Sequence, residues 1–464
     1  MATRINAETS SEAQEKKLIA EIEKKHGKTV DQLREEREKR VRDAIQLRVP
    51  DRVPVNVGAG IFAARYAGLT ASVMYYDSAA YRAACKKMLL DFEPDNGGAV
   101  GLGRLGKLLD IMEAKQYRWP GGNEPPDGTY QFLEGEYMKV SEYDHFLSNP
   151  CDFIIRFYLP RTYGALEPLA KLPAFKRKFD TKETAAFIGM LYFRGNFRAL
   201  TSILTELNLP ELHGVLEKLN RVEQEQMEVG KESVAFSAEM ARLGFPGGGA
   251  VPGSGGSGSN FAPFDEISDY LRGMRGTMLD MHRIPDKLLT ACDKILNWEM
   301  GAAVPARPDA KGNPVRVGMP LHRGSDGFMS VKDFEKFYWP TLKKAIEIKI
   351  KLGYTVSPFF EGIWDQRLEY LLDFPKGKVI FQCEKTDIFK AKEILGGHMC
   401  IQGGVPPTIL QTGSIQDVEE HCKKLIKVAG KGGGFILSAG SSIEGAKPAN
   451  IKAMVDSANK FGWY

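Results

Sequence analysis

The strongest constraint on the fold is an alternation that starts near residue 315 and runs to the C-terminus. Five short apolar runs, "VRVGMPLHRG", "TVSPFFEG", "KVIFQCEKTD", "HMCIQGG" and "GGFILSAG", are each followed by a stretch with helical spacing. The intervening stretches include "SVKDFEKFYWPTLKKAIEIKIKLG", "WDQRLEYLLDF", "IFKAKEILGG", "SIQDVEEHCKKLIKVAG" and "KPANIKAMVDSANKFG". Strand and helix in strict succession predict right-handed βαβ units around a parallel sheet. A further apolar run, "RVPVNVG" at 52–58, precedes the helical stretches "IFAARYAGL" and "SAAYRAACKKMLLDF". These units together predict an α/β chain folded as a (β/α)8 TIM-type barrel. An open doubly wound sheet is the alternative.

Residues 9–46 are rich in Glu, Lys and Arg, with a narrow apolar stripe at Leu18, Ile22, Val30, Leu33 and Val41. That pattern predicts surface helices packed on the body by one edge. Residues 1–47 therefore read as a helical N-terminal extension and 48–464 as the barrel. An inserted helical elaboration falls at about 115–260, and "TAAFIGMLYFRGNFRALTSILTEL" is its clearest helix. "PGGGAVPGSGGSGSN" (246–260) is a loop by composition. Its Gly253, Gly255 and Gly258 match G-x-G-x-x-G, but Pro246 and Pro252 stand where a dinucleotide site needs a strand, so a lid or connector is expected.

The formal net charge of +4 is nearly balanced over 464 residues, and no basic stripe carries interleaved aromatics, so nucleic acid is not an expected partner. Cys85, Cys151, Cys292, Cys383, Cys400 and Cys422 show no C-x-x-C pair and read as reduced thiols of a cytoplasmic protein. No apolar h-region opens the chain, and no apolar run approaches the roughly 18 residues of a membrane span.

A (β/α)8 barrel carries its active site at the C-terminal ends of its strands. The last five strands end at His322–Asp326, Glu361, Cys383–Asp387, Gln402–Gly404 and Ser441–Ser442, and the first ends at Asn56. Glu361 has the strongest functional case, because a carboxylate beside Phe359 and Phe360 is costly without a partner or a task. Asp326 and Lys385 join it as candidate catalytic groups. Asp387 reads as the N-cap of the next helix. His398, His421 and Cys422 read as structural.

These segments resemble the uroporphyrinogen decarboxylase superfamily, a (β/α)8 barrel family. "GGHMCIQGGVPPTIL" is similar to its G…GN-x-x-P-x-x-L segment, and "GGFILSAGSSI" with "KPANIKAMVDSA" to its final strand and helix. "DRVPVNVGAGIFAARYAGLT" resembles its opening in the style of the corrinoid-dependent methyltransferase branch. The arginine pair that binds tetrapyrrole carboxylates in the decarboxylases is reduced here to Arg65. The His of the last strand's turn is Ser441, and Asp95 falls near the catalytic Asp. The branch's zinc ligands, His-x-Cys and a later Cys, are replaced by Phe359, Glu361 and Ser441. A replacement zinc site would use Glu361 with His322 or Cys383, all ligand types that zinc accepts.

The resemblance implies a methyltransferase that takes a methyl group from a small methoxylated, expectedly aromatic, compound and passes it to a corrinoid protein. Asn56, Arg65, Asp95, Phe359, Trp364, Gln402 and Ser441 would line the substrate site. Two alternatives stay open. One is a decarboxylase or other lyase, with Arg65, Arg323 and Arg367 on carboxylates and Asp95 or Asp326 on the proton. The other is a protein that holds a corrinoid or aromatic ligand without chemistry. The Gly-rich loop and helical N-terminal arm would suit a homodimer.

Overall fold

The computed structural model describes residues 2–95, 106–172, 212–247, 261–301, 303–307 and 309–464. The expected helix at 184–207 and nearly all of the Gly-rich loop lie outside these residues, so the lid reading of that loop does too.

The predicted alternation is present. Strands β3 (Arg316–Leu321), β4 (Thr355–Phe360), β5 (Ile380–Cys383), β6 (Cys400–Val405) and β7 (Phe435–Ala439) form one parallel sheet in the order β3-β4-β5-β6-β7. The extended segment 53–57 continues the sheet beyond β7 through a parallel bridge between Val55 and Leu437. Of the eight strands expected, the described residues show this five-stranded parallel sheet and its bridging segment. A separate antiparallel pair joins β1 (Tyr117–Arg118) to β2 (Gln131–Phe132).

Alternation along the strands gives the sheet two unlike faces, since successive side chains point to opposite sides. One face carries Val317, Met319, Leu321, Val356, Phe360, Phe381, Ile401 and Leu437, all sealed in the main core. The other, inner face follows the register Pro320↔Phe359, Phe359↔Gln382, Gln382↔Gln402 and Gln402↔Ile436. Pro358 lies within the central strand β4 without an N–H to give. It is tolerated because the ladder to β5 is interrupted there, between the Val356–Val379 bridge and the Phe359–Gln382 pair.

Two predicted helices differ in detail. "SVKDFEKFYWPTLKKAIEIKIKLG" is helical but contains a π turn at Phe334–Tyr338 just before Pro340. Proline lacks the N–H that an α-turn would use, and its ring crowds the carbonyl of the preceding turn. "WDQRLEYLLDF" is not an α-helix. It forms a turn and a short 3-10 helix at Glu369–Asp373. Tertiary partners take its first groups instead: Trp364 N–H donates to Thr386 Oγ1 (2.9 Å), and the Arg367 guanidinium donates to the Met329 carbonyl (2.6 Å) and pairs with Asp326.

The N-terminal helices Ala2–His26 and Val30–Ile45 form as the apolar stripe predicts. The second opens on a capping box, Thr29 with Gln32, which satisfies backbone donors at its start. Its Val41, Ala44 and Ile45 pack on Ile380, Cys400 and Ile436, inner-face residues at the N-terminal ends of β5, β6 and β7. This helix therefore closes that end of the inner face. Val41 and Ile45 each contribute on the order of 1.5–3 kcal/mol by burial.

An ion cluster fixes the helix in place. Asp95 is fully buried and accepts from Arg40 Nη1 (2.5 Å), Arg52 Nη1 (2.7 Å), Arg52 Nη2 (3.0 Å) and Val55 N–H (2.8 Å). Burial would raise its pKa, but the two guanidiniums and the hydrogen bonds outweigh that and hold it below the usual carboxylate range. All six cysteines are free and buried. No helix among the described residues is long and apolar enough to cross a membrane.

Candidate functional site at the C-terminal ends of β3 and β4

β3 and β4 pair in register up to Leu321↔Phe360, so His322 and Glu361 leave the sheet side by side. His322 Nε2 lies 3.8 Å from Glu361 Oε2. Glu361 is 51% exposed and His322 28% exposed, so both are open to a visiting molecule. Gly362 turns the chain directly after Glu361 at φ +82°, a conformation side-chained residues rarely adopt. Its N–H donates to Glu384 Oε2 (2.6 Å).

The far side of His322 is built from a segment the strand-end rule does not reach. Asp265 and Asp269 stand one turn apart on Pro263–Arg272, whose second part is a π turn. Asp269 Oδ2 holds His322 Nδ1 at 2.5 Å, and Asp269 Oδ1 pairs with Arg323 (2.8 Å). Asp265 accepts the backbone N–H groups of His322 (2.9 Å) and Arg323 (3.0 Å) and the Tyr338 hydroxyl (2.7 Å). Arg323 also reaches Glu134 at 3.3 Å. The two aspartates thus fix both the backbone and the ring of His322.

The electrostatics follow from this packing. Burial alone would lower the pKa of His322. The hydrogen bond to Asp269 and the charges of Asp265, Asp269 and Glu361 outweigh it and raise the value to about 9. Burial, with the adjacent Asp269 charge, raises Asp265 to about 6, against the pull of His322 and its hydrogen bonds. At neutral pH His322 is an imidazolium. One N–H is committed to Asp269 and the other faces the opening beside Glu361.

Several expected site residues stand elsewhere. Trp364 is fully buried, edge-on to Phe360 at 4.9 Å, and its indole N–H donates to the Glu361 carbonyl (2.9 Å). It braces the Glu361 turn from beneath and does not line an opening. Phe360 faces the helices, so only Phe359, half-buried on the inner face, can meet a ligand. Asp326 is spent on Arg367 and on the N–H of Gln366 (3.1 Å), tying together the loops after β3 and β4. Asp95 is locked in the ion cluster at the opposite end of the first strand segment. Lys385 projects outward, 69% exposed, 3.8 Å from Glu384.

Cys383 corrects the zinc expectation. Its side chain faces the core, its thiol donates to the Thr386 carbonyl (3.2 Å), and burial with nearby carboxylates pushes its pKa up to about 12. His322, Glu361 and Cys383 are therefore not brought together. Among the described residues no group of three or more His, Cys, Asp or Glu is arranged to hold a metal ion. The residues do not assemble the replacement zinc set of His322, Glu361 and Cys383.

Other expected residues share the inner face. Gln402 is half-buried there. The Val55–Leu437 bridge puts Asn56 on the same face as Ser438, and its buried Oδ1 has no hydrogen-bond partner. Ser441 is half-buried just past β7. Arg65 spans to the same loop, donating to the Glu444 carbonyl (3.2 Å) while pairing with Asp127 (3.2 Å). Asp387 caps its helix by accepting from Phe389 N–H, and His398 and His421 bond backbone carbonyls, as structural residues do.

Comparison with known proteins supports this architecture. A methyltransferase from Methanosarcina mazei of known structure superposes with a TM-score of 0.50 at 14% identity, over 92% of this chain and 98% of that one. At that identity the likeness is one of fold. No curated protein matches the chain. The uroporphyrinogen decarboxylase (URO-D) profile matches residues 210–461, which span β3 to β7, His322, Glu361 and both aspartates. By that match the chain belongs to the uroporphyrinogen decarboxylase (URO-D) family.

Proposed function

We propose that this chain is a methyltransferase of its family, which takes a methyl group from a small methoxylated aromatic compound and passes it to a corrinoid protein, within the family's (β/α)8 ring. The observation that carries the reading is the His322 ring held between Asp269 and the half-exposed Glu361. The Methanosarcina mazei methyltransferase of like fold adds support.

An aryl methyl ether does not release its oxygen as a bare anion without help. A proton placed on that oxygen as the carbon–oxygen bond breaks makes it a neutral phenol, and general acids of this kind contribute roughly 10²–10⁴-fold. His322 has the proton, on Nε2, at neutral pH. Asp269 keeps Nδ1–H hydrogen-bonded, fixing the ring and stabilising the charge. The bonding pair of the broken bond stays with oxygen, which takes the proton from Nε2. A corrinoid on a separate protein would supply the nucleophile that accepts the methyl carbon. Glu361, open at the edge beside Nε2, lies where it can relay a proton from solvent to His322 afterwards, and its exposure leaves the site accessible to a second protein.

The test is methyl transfer from methoxybenzoates in the presence of a reduced corrinoid protein, compared between the wild type and His322→Gln. A loss of about 10²-fold or more is expected, the range for removal of a general acid. Equal rates would remove His322 from the chemistry. Turnover of a carboxylated substrate with no corrinoid protein added would overturn the methyltransferase reading in favour of a lyase.

A further inference from the structure

We infer that the inner face of the sheet is a chamber for a monoanionic aromatic carboxylate, with Arg316 as the anchor for its carboxyl group. This rests on the methyltransferase reading for the fate of the methoxyl group, though not for binding itself.

The argument begins with β3. Its residues alternate strictly: Val317, Met319 and Leu321 are sealed, whereas Arg316 and Pro320 are half-buried and Gly318 is exposed. The open set shares the inner face, because Pro320 pairs with Phe359 and that register runs on to Gln382 and Gln402. A Cβ built on Gly318 would meet no described atom within 4 Å. Mid-strand glycines usually admit a close neighbour; among the described residues nothing stands against this one, and it is exposed.

Arg316 sits at the foot of that space. Burial lowers the pKa of its guanidinium, and the Cys400 thiol is the one titratable group that acts in the other direction. No carboxylate among the described residues pairs with it. A guanidinium drawn partly out of water without a counter-ion is costly. Its planar fork matches a carboxylate in bidentate fashion. Among the described residues, the sheet positions that share this face with Arg316 are neutral. The half-buried Gln402 amide and the unpartnered, buried Asn56 Oδ1 offer further hydrogen-bonding groups, and Phe359 offers a ring. At this end of the face one cation balances one negative charge, whereas a phosphate dianion would leave a charge unmatched; His322 and Glu361 lie at the other end.

The dimensions agree. His322 follows directly on β3, six residues after Arg316, so their Cα atoms are about 20 Å apart at a strand's rise of roughly 3.3 Å per residue. The reach of an arginine from one end and an imidazole from the other leaves room for about one substituted ring. The carboxylate end would lie at Arg316 and the ether end at His322.

Calorimetric titration of the full chain, without any corrinoid protein, tests this. 4-Methoxybenzoate should bind, and neutral methoxybenzene should bind at least tenfold more weakly. Arg316→Gln should weaken the acid at least tenfold and leave methoxybenzene unchanged. Gly318→Leu should block both by filling the chamber, with an unaltered circular dichroism spectrum. Undiminished acid binding by Arg316→Gln would overturn the inference. So would tighter binding of inorganic phosphate than of the acid, or no binding of any probe by the wild type. If Arg316→Gln does not fold, Gly318→Leu decides alone, and acid binding retained by it overturns the chamber. Because no methyl group moves in this assay, a failure of methyl transfer leaves its result intact.

Discussion

Asp269→Asn removes one negative charge and keeps the shape of the side chain. In the wild type, the rise of His322 from 6.5 to about 9 corresponds to about 3.4 kcal/mol of preference for the imidazolium, at 1.36 kcal/mol per unit of pKa. Three carboxylates share that preference, with Asp269 in direct hydrogen-bond contact at 2.5 Å and Glu361 more distant at 3.8 Å. Burial works against all three. Loss of the Asp269 charge should therefore lower the His322 pKa by at least one unit, about 1.4 kcal/mol. The assay is an NMR titration of histidine-labelled protein. The chain has seven histidines, so the His322→Gln spectrum identifies the resonance. Asp269 also pairs with Arg323, which keeps Ser268 (3.0 Å) and Glu134 (3.3 Å) as partners, so the segment should stay in place. Glu134→Gln is the control and should leave the titration of His322 unmoved. A wild-type His322 that titrates below pH 7, or an Asp269→Asn variant with the wild-type midpoint, would refute the dyad.

The same proton sets a pH dependence. His322 binds its proton more tightly in the folded chain, so its contribution to stability is complete below pH 6.5 and is lost as pH rises through about 9. Methyl transfer should decline over that upper range, and His322→Gln should flatten the limb. Glu361→Gln should slow turnover in the reconstituted assay while changing unfolding free energy by no more than about 0.5 kcal/mol, because the side chain is a half-exposed surface group. Asp95→Asn should do the reverse: a loss of about 3–5 kcal/mol in denaturant unfolding, from two buried arginines left short of charge, with the affinity for substrate unchanged.

The β/α succession and the strand ends were legible because apolar period and turn residues are local signals. Glu361 and His322 were found that way, and so was the Asp387 cap. What local pattern could not show was which neighbour each group would meet. Phe359 and Phe360 are adjacent, so only one can face inward, and the choice depends on register with Gln382 and Cys383. Trp364 looks like a site aromatic beside Glu361 in sequence, yet the packing of Phe334, Tyr338 and Phe360 around it makes it core. Asp265 and Asp269 lie over fifty residues upstream of His322, in a stretch with no strand to end. Their one signal was an acid pair at helical spacing in "FDEISDYLR", with no indication of a distant histidine. Asp95 was placed by its proximity to a family motif, whereas its two arginine partners decide its position.

The helix Val30–Ile45 that stoppers the N-terminal ends of β5, β6 and β7 has a kinetic consequence. On the proposed reading, a small molecule would enter and leave at the opposite edge, by one doorway. A second protein seated on that doorway to receive a methyl group would shut it. Loading, docking, undocking and release must then follow one order, and an excess of the partner protein would slow turnover by trapping the demethylated product behind it.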